Sequence, residues 1–250
     1  SLKLAFIGGS ACPRSMIEKF QDKYGVNVRH AWGMTEMSPV GSAGHLKPEA
    51  AALPRDARLD TQEKQGFSLF GIEMKITDDA GNELPWDGKT FGRLKVRGGT
   101  VARAYFKGEG GQILDDEGYF DTGDVATIDA LGYMKITDRA KDVIKSGGEW
   151  ISSIDIENIA VGHPDVAEAA VIGVPHPKWD ERPLLIVVPK KDCKITKADM
   201  LDFLRGKVAK WWLPDDVIFI AEIPHTATGK ILKMALREQF HDYRLPSAAE

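Results

Sequence analysis

A lysine at position 230 follows a glycine in the polar loop Pro224-His225-Thr226-Ala227-Thr228-Gly229-Lys230. A phosphate-cradling loop reads G-x-x-x-x-G-K-[ST]. Here its first position is Pro224 and the residue after the lysine is Ile231. The anion cradle and the magnesium-binding hydroxyl are therefore both missing, and a lone ammonium on a glycine hinge is left. Such a cation suits delivery onto an anion held by residues elsewhere in the chain. Taken alone, a solvated loop lysine is the ordinary alternative.

Three upstream segments could hold that anion. Trp32-Gly33-Met34-Thr35-Glu36 brings an aromatic plane, a glycine, a hydroxyl and a carboxylate together. A flat ring can stack on a nucleobase, a hydroxyl can bond a phosphate oxygen, and a carboxylate can hold Mg²⁺, which prefers hard oxygen ligands and keeps waters. A strand end with a buried tryptophan and a capping threonine would use the same residues. In Tyr119-Phe120-Asp121-Thr122-Gly123-Asp124, two carboxylates flank a Thr-Gly step. A carboxylate can accept both hydroxyls of a vicinal diol, as acidic residues hold a ribose. Local turn chemistry is the alternative there. The stretch Asp138 to Trp150 carries Arg139, Lys141 and Lys145, then Gly147-Gly148, then Trp150. Cations of this kind pair with phosphate, and a glycine pair lets a ligand approach the backbone; a solvated charged hairpin would look the same.

Composition narrows the classes. The chain has 250 residues and 43% apolar content, enough for one large or two ordinary domains. Its net charge of −4 comes from 33 basic and 37 acidic residues that are well mixed. No basic stripe argues for nucleic acid and no polybasic segment for a membrane surface. Cys12 and Cys193 lie far apart, so neither a disulfide framework nor a zinc site is indicated. The histidines show no metal-ligand spacing. The aliphatic run Leu184 to Val188 is too short to span a bilayer. These features lead to the expectation of a soluble, cytoplasmic protein without a transmembrane segment. Two other motifs fail: Gly8-Gly9-Ser10-Ala11-Cys12 lacks the last glycine of a nucleophile elbow, and Gly108-Glu109-Gly110-Gly111-Gln112-Ile113 is no dinucleotide fingerprint.

The elements that must position these residues follow from pattern. Residues 2–7 read as a buried strand, 8–11 as a tight loop, and Pro13 opens a helix with Met16, Ile17 and Phe20 on its apolar face. Gly25 ends it and residues 26–31 form the next strand. This β-α-β unit is parallel and right-handed. Gly8–Ala11 and Trp32–Glu36 then leave the carboxyl ends of neighbouring parallel strands, where open α/β sheets bind ligands. A strand buried from residue 2 needs neighbours on both sides, so the chain reads as a fragment with part of its parent upstream. Residues 44–65 read as polar and irregular, and 66–138 as an antiparallel sheet or barrel. Beyond a boundary near 138–142, a compact α+β domain is expected. It has helices at 153–161, 196–210 and 231–240 and strands at 166–173, 183–189 and 217–221, with Asp199 in a reciprocal cap.

Together and in this order, the segments resemble the adenylate-forming superfamily of acyl-CoA synthetases, luciferases and peptide-synthetase adenylation domains. Gly8-Gly9-Ser10-Ala11 is similar to its adenine-side loop, Trp32–Glu36 to its aromatic-Gly-x-Thr-Glu motif, and Thr122-Gly123-Asp124 to its ribose motif. Asp138–Trp150 is similar to its hinge and thiol-channel strand, and Gly229-Lys230 to its C-terminal catalytic lysine. The run Asp142 to Ser152 most resembles the medium- and long-chain fatty acyl-CoA synthetase branch. The family's Ser/Thr/Gly-rich phosphate loop has no match here.

The resemblance implies four regions: 1–65, a partial α/β subdomain; 66–137, a β-barrel-like subdomain; 138–141, a hinge; and 142–250, a small α+β lid domain. It implies an ATP-dependent fatty acid–CoA ligase that makes acyl-AMP and then acyl-CoA, using ATP, Mg²⁺ and CoA, with the 250-residue chain inactive alone. Lys230, Thr35 and Glu36 become catalytic, Glu36 by holding the metal. Gly9, Ser10 and Trp32 frame adenine, with Ala11, His30, Ala31, Gly33 and Met34 beside the same nucleotide. Asp124 takes the ribose, supported by Arg139. Lys141 is the hinge of a domain rotation, Lys145 and Trp150 add nucleotide contacts, and Gly147, Gly148 and Glu149 line the CoA channel. Short thioether or branched acids stay open beside fatty acids. A relative that loads a carrier protein, a non-catalytic nucleotide-binding module, and a homodimer paired through an exposed strand edge also stay open.

Overall fold

A computed structural model describes residues 2–227 and 229–249; Thr228 of the lysine loop lies outside the described residues. The chain divides into two compact units, Ser1–Ala140 and Lys141–Glu250.

In the first unit, β1 (Leu4–Ile7) leads through α1 (Arg14–Glu18) and a wider π turn, Lys19–Lys23, into β2 (Asn27–Gly33). β1 and β2 pair in parallel, Leu4 opposite Asn27 and Ile7 opposite His30. β3 (Val40–Ala43) runs antiparallel to β2, and β4 (Phe67–Ser68) completes a sheet in the order β1-β2-β3-β4. The expectation of a buried first strand is corrected here. β1 is an edge strand with β2 alone beside it, and Phe6 is 59% exposed. α1 turns Ile17 onto Cys12, Val28 and Leu59 in a small satellite core. Burial pushes the Cys12 thiol up to about 11, so it stays protonated and inert at neutral pH.

The stretch read as irregular contains two helices, α2 (Pro48–Ala51) and α3 (Arg55–Glu63). α3 buries only Leu59 and Thr61, and so shows no apolar stripe to read. Arg14 ties α1 to it through Asp56 at 2.8 Å and Asp60 at 2.5 Å.

β5 (Ile72–Thr77), β6 (Gly92–Gly98), β7 (Phe120–Ile128) and β8 (Met134–Arg139) form an antiparallel meander in chain order. Its inner face, with Ile76, Leu94, Val96, Ala126 and Ile128, shares one core with Trp32 of β2 and with Met37 from the turn that follows it. Full burial of an Ile, Leu, Val or Met side chain of this set contributes roughly 1.5–3 kcal/mol, so the two sheets of this unit are fixed to each other where the candidate motif leaves β2.

The second unit opens with the hairpin β9 (Ile144–Ser146) and β10 (Glu149–Ile151). It continues through α4 (Ser153–Val161), β11 (Val166–His176), β12 (Asp180–Pro189), α5 (Lys197–Leu204), β13 (Asp216–Phe219) and α6 (Lys233–Gln239). β12 is central: β11 pairs antiparallel along it, β13 pairs parallel, and β9 joins at Asp180–Ser146. Alternate β12 residues feed separate cores. Leu185 and Val187 pack with Ile156 and Ala160 of α4 and with Met200 and Leu204 of α5; Leu184 and Ile186 pack with Ile223 and Leu236. Ser152 caps α4 and a reciprocal Thr196–Asp199 box caps α5, each contributing about 1 kcal/mol. α5 is shorter than expected. Arg205 leaves helical geometry and Gly206 takes φ 77°, so the amides of Lys207 and Val208 turn back to the Leu204 carbonyl instead. Among the described residues no helix is long and apolar enough to cross a membrane.

Candidate functional site

The loop after β1 is held from beneath by His30, which is 2% exposed. Its Nδ1 lies 2.8 Å from the Glu63 carbonyl and its Nε2 lies 3.2 Å from the Ser10 carbonyl. His30 is thus buried against backbone rather than open to a ligand, while Gly9 and Ser10 are exposed and Ala11 is half-buried. Burial is the main cause that lowers the His30 pKa below its ordinary 6.5, against the raising effect of the two carbonyls. The unfolded chain therefore binds a proton before the folded one does, and stability falls as pH drops below about 6.5. The slope is up to about 1.4 kcal/mol per pH unit until the lower folded value is passed. Urea unfolding at stepped pH is expected to show this slope in the wild type and not in His30→Asn; equal slopes would refute it.

Trp32 is not the open platform that its type suggests. It is 9% exposed, packs in the shared core with Met37, and its Nε1 donates to Asp124 Oδ2 at 2.9 Å. Ala31 pairs with Ala43 across β2 and β3, and Met34 packs against the same core. Gly33 is required by close backbone approach: a Cβ there would sit 1.9 Å from the Pro39 carbonyl oxygen. Thr35, exposed, and Glu36, half-buried, lie on a single 3-10 turn, Thr35–Met37, pinned by the fully buried Met37. The Glu36 carbonyl accepts from the Ala102 amide at 2.7 Å, and Glu36 Oε1 accepts from the Tyr105 hydroxyl at 2.7 Å. That bond pushes the Tyr105 pKa up and keeps the hydroxyl a donor. Sequence reasoning missed Tyr105, because it lies in no motif and meets Glu36 only through the fold.

Asp124 is buried on β7, opposite Arg139 on β8. Arg139 Nε reaches Asp124 Oδ1 at 3.0 Å, and its Nη1 donates to the Thr122 carbonyl at 3.0 Å. The Thr122 hydroxyl accepts from the Asp124 amide at 3.1 Å, while Asp121 turns away to Arg93 at 2.8 Å. The first unit thus gathers Trp32, Asp124 and Arg139 into one hydrogen-bonded group. Among the described residues no cluster of three or more His, Cys, Asp or Glu side chains could hold a metal ion. A single carboxylate such as Glu36 fits Mg²⁺ that arrives on phosphate with its own waters, not a resident protein cage.

In the second unit, Lys141 is the first residue after the division and is exposed. Exposed Lys145 faces half-buried Trp150 across the hairpin. Gly147 and Gly148, at φ 60° and 85°, are the two central residues of that hairpin's turn, with Ser146 paired to exposed Glu149. This is the double positive-φ geometry that favours glycine on local grounds. A Cβ on Gly147 would meet the Trp179 ring at 2.9 Å, while Gly148 faces open space. The backbone at Gly229 and Lys230 is hydrogen-bonded to Thr226. The Gly229 amide donates to the Thr226 carbonyl at 2.9 Å, the Thr226 amide to the Lys230 carbonyl at 2.8 Å, and the Lys230 amide to the Thr226 hydroxyl at 3.1 Å. α6 beyond it is anchored by Lys233–Glu157 at 2.8 Å and Arg237–Asp142 at 2.5 Å. Lys230 is exposed, and among the described residues its ammonium has no ion-pair partner.

Two family profiles match the chain: AMP-binding enzyme over residues 1–106, and AMP-binding enzyme C-terminal domain over residues 155–230. A 3-methylmercaptopropionyl-CoA ligase of Ruegeria pomeroyi is 56% identical over 242 residues, 97% of this chain and 45% of that protein. A medium-chain-fatty-acid–CoA ligase of Ectopseudomonas oleovorans is 49% identical over 249 residues, 100% of this chain and 45% of that protein. Among solved structures, ATP-bound MatB from Rhodopseudomonas palustris superposes with a TM-score of 0.81 at 30% identity, covering 96% of this chain and 46% of that one. The chain spans about half the length of the curated relatives it matches.

Proposed function

Since the chain belongs to the AMP-binding enzymes of the adenylate-forming superfamily, we propose that it serves an acid–CoA ligase that makes an acyl-adenylate and then an acyl-CoA. The observation that carries this is Lys230: an exposed ammonium whose backbone amide is held by the Thr226 hydroxyl, with no ion-pair partner among the described residues. Simple nucleotide binding needs neither this cation nor the Glu36 carboxylate, and that favours a ligase over a binding module.

In the first half-reaction a carboxylate oxygen bonds to the α-phosphorus of ATP and the bond to pyrophosphate breaks. Positioned charge does most of the work in such a transfer. Lys230 is the cation for the carboxylate and α-phosphate, Thr35 donates to phosphate, and Glu36 holds the Mg²⁺ that accompanies ATP. The exposed Gly9 and Ser10 border adenine, and Asp124 accepts the ribose hydroxyls beside Arg139. In the second half-reaction the CoA thiolate bonds to the acyl carbon and AMP leaves with the electron pair of the broken C–O bond. The Gly147-Gly148 turn serves this step, its lack of side chains leaving the backbone accessible to the pantetheine arm, with Lys141 as the pivot between the two steps.

The acid is proposed as aliphatic. Identity to the medium-chain-fatty-acid–CoA ligase supports a fatty acid, and the higher identity to the 3-methylmercaptopropionyl-CoA ligase supports a short thioether acid as a second reading. A protein of full family length carrying this chain, given ATP, Mg²⁺, CoA and a panel from 3-methylmercaptopropionate through octanoate to palmitate, is expected to release AMP and acyl-CoA in equal amounts. AMP release that no acid stimulates would overturn the proposal, and release unaffected by CoA would favour loading of a carrier protein.

A further inference from the structure

Trp32 and Asp124 are 92 positions apart, yet the indole N–H and the carboxylate meet at 2.9 Å in a buried setting. The ring cannot easily be elsewhere: a Cβ on Gly41 would lie 2.5 Å from Trp32 Cζ3, and Met37 packs against the same region. Trp32 meets Asp124 on Oδ2, and among its other partners Arg139 meets it on Oδ1 at 3.0 Å. Hydrogen bonds to a charged group in a low-dielectric setting are the strong ones.

We propose that Trp32 is a positioning residue for the ribose end of the nucleotide: its indole N–H, anchored in the core, holds the Asp124 carboxylate in the orientation that receives the ribose hydroxyls. The inference rests on the reading of Asp124 as the ribose acceptor. It gives Trp32 a different task from stacking on the base. A ring that is 9% exposed has little face to offer an adenine, whereas its N–H is fully committed. Arg139 supplies charge and the second contact; Trp32, being neutral, sets direction.

The two tasks separate by ligand. Dissociation constants for AMP and 2′,3′-dideoxy-AMP are measured by calorimetry on the 250-residue chain and on Trp32→Phe, Trp32→Tyr and Asp124→Ala. The wild type is expected to prefer AMP by roughly tenfold or more, the size of a lost bond to a charged group. Asp124→Ala should erase the preference. Trp32→Phe should erase most of it through weaker AMP binding alone, with dideoxy-AMP binding unchanged. Trp32→Tyr, which keeps a donor on a ring, should retain it and stands in if Trp32→Phe does not fold. Equal losses for both nucleotides in Trp32→Phe, an unchanged preference there, or its disappearance in Trp32→Tyr overturns the proposal. A preference that survives Asp124→Ala, or is absent in the wild type, overturns the ribose reading instead.

Discussion

Replacing Lys230 with alanine, in a protein of full family length carrying this chain, is expected to abolish acyl-adenylate formation while leaving thioester formation from supplied acyl-AMP near its original rate. The lysine's backbone amide and carbonyl are both hydrogen-bonded to Thr226, so the substitution removes charge without removing these bonds. Loss of one well-placed electrostatic contact typically slows a step about 10²–10³-fold. Pyrophosphate exchange reads the first half-reaction and CoA-thioester formation from synthetic acyl-AMP reads the second. If both fall equally, Lys230 is a structural lysine and the assignment fails.

Gly33→Ala is expected to cost the first unit at least about 3 kcal/mol, the upper end of ordinary overpacking. The new methyl would sit 1.9 Å from the Pro39 oxygen, 2.8 Å from its carbonyl carbon and 2.9 Å from Val40 Cα. These are all backbone atoms that cannot swing aside as a side chain does. Relief requires moving β3 away from β2, which displaces Trp32 and the Thr35–Met37 turn together. AMP binding should therefore fall along with the urea midpoint. Gly99→Ala is the control, since nothing lies within 4 Å of its added methyl. A Gly33→Ala chain as stable as Gly99→Ala would mean that the loop after β2 is arranged differently.

Much of this architecture is written in local pattern. The β1-α1-β2 unit, the meander and the capped helices α4 and α5 each carry a period, a turn or a cap within a dozen residues. α3 escaped because a helix that buries Leu59 and Thr61 alone has no stripe to detect. The end of α5 escaped because Leu204 and Val208 keep helical spacing across a break made by Arg205 and Gly206. At the candidate site, residue types were legible and partnerships were not. Nothing near Trp32 announces Asp124, nothing near Glu36 announces Tyr105, and a histidine gripped by two carbonyls looks in sequence like any other. Those relations exist only once distant strands are brought side by side.

The division of β12 between two cores separates influences as well as side chains. Ile144 and Ile151, beneath the Gly147-Gly148 turn, belong to the layer of Leu185 and Val187. Ile223 and Leu236, on either side of the Lys230 turn, belong with partly buried Ile231 to the layer of Leu184 and Ile186. A methylene removed from one layer is felt mainly within it, because a hydrogen-bonded sheet stands between. Paired truncations across the sheet, such as Ile151→Val with Leu236→Ala, should then be close to additive, whereas pairs within a layer should couple by 0.5–3 kcal/mol in order of magnitude. A lineage could thus retune the segment bearing the lysine by drift in one layer, while the glycine turn on the other side keeps its shape.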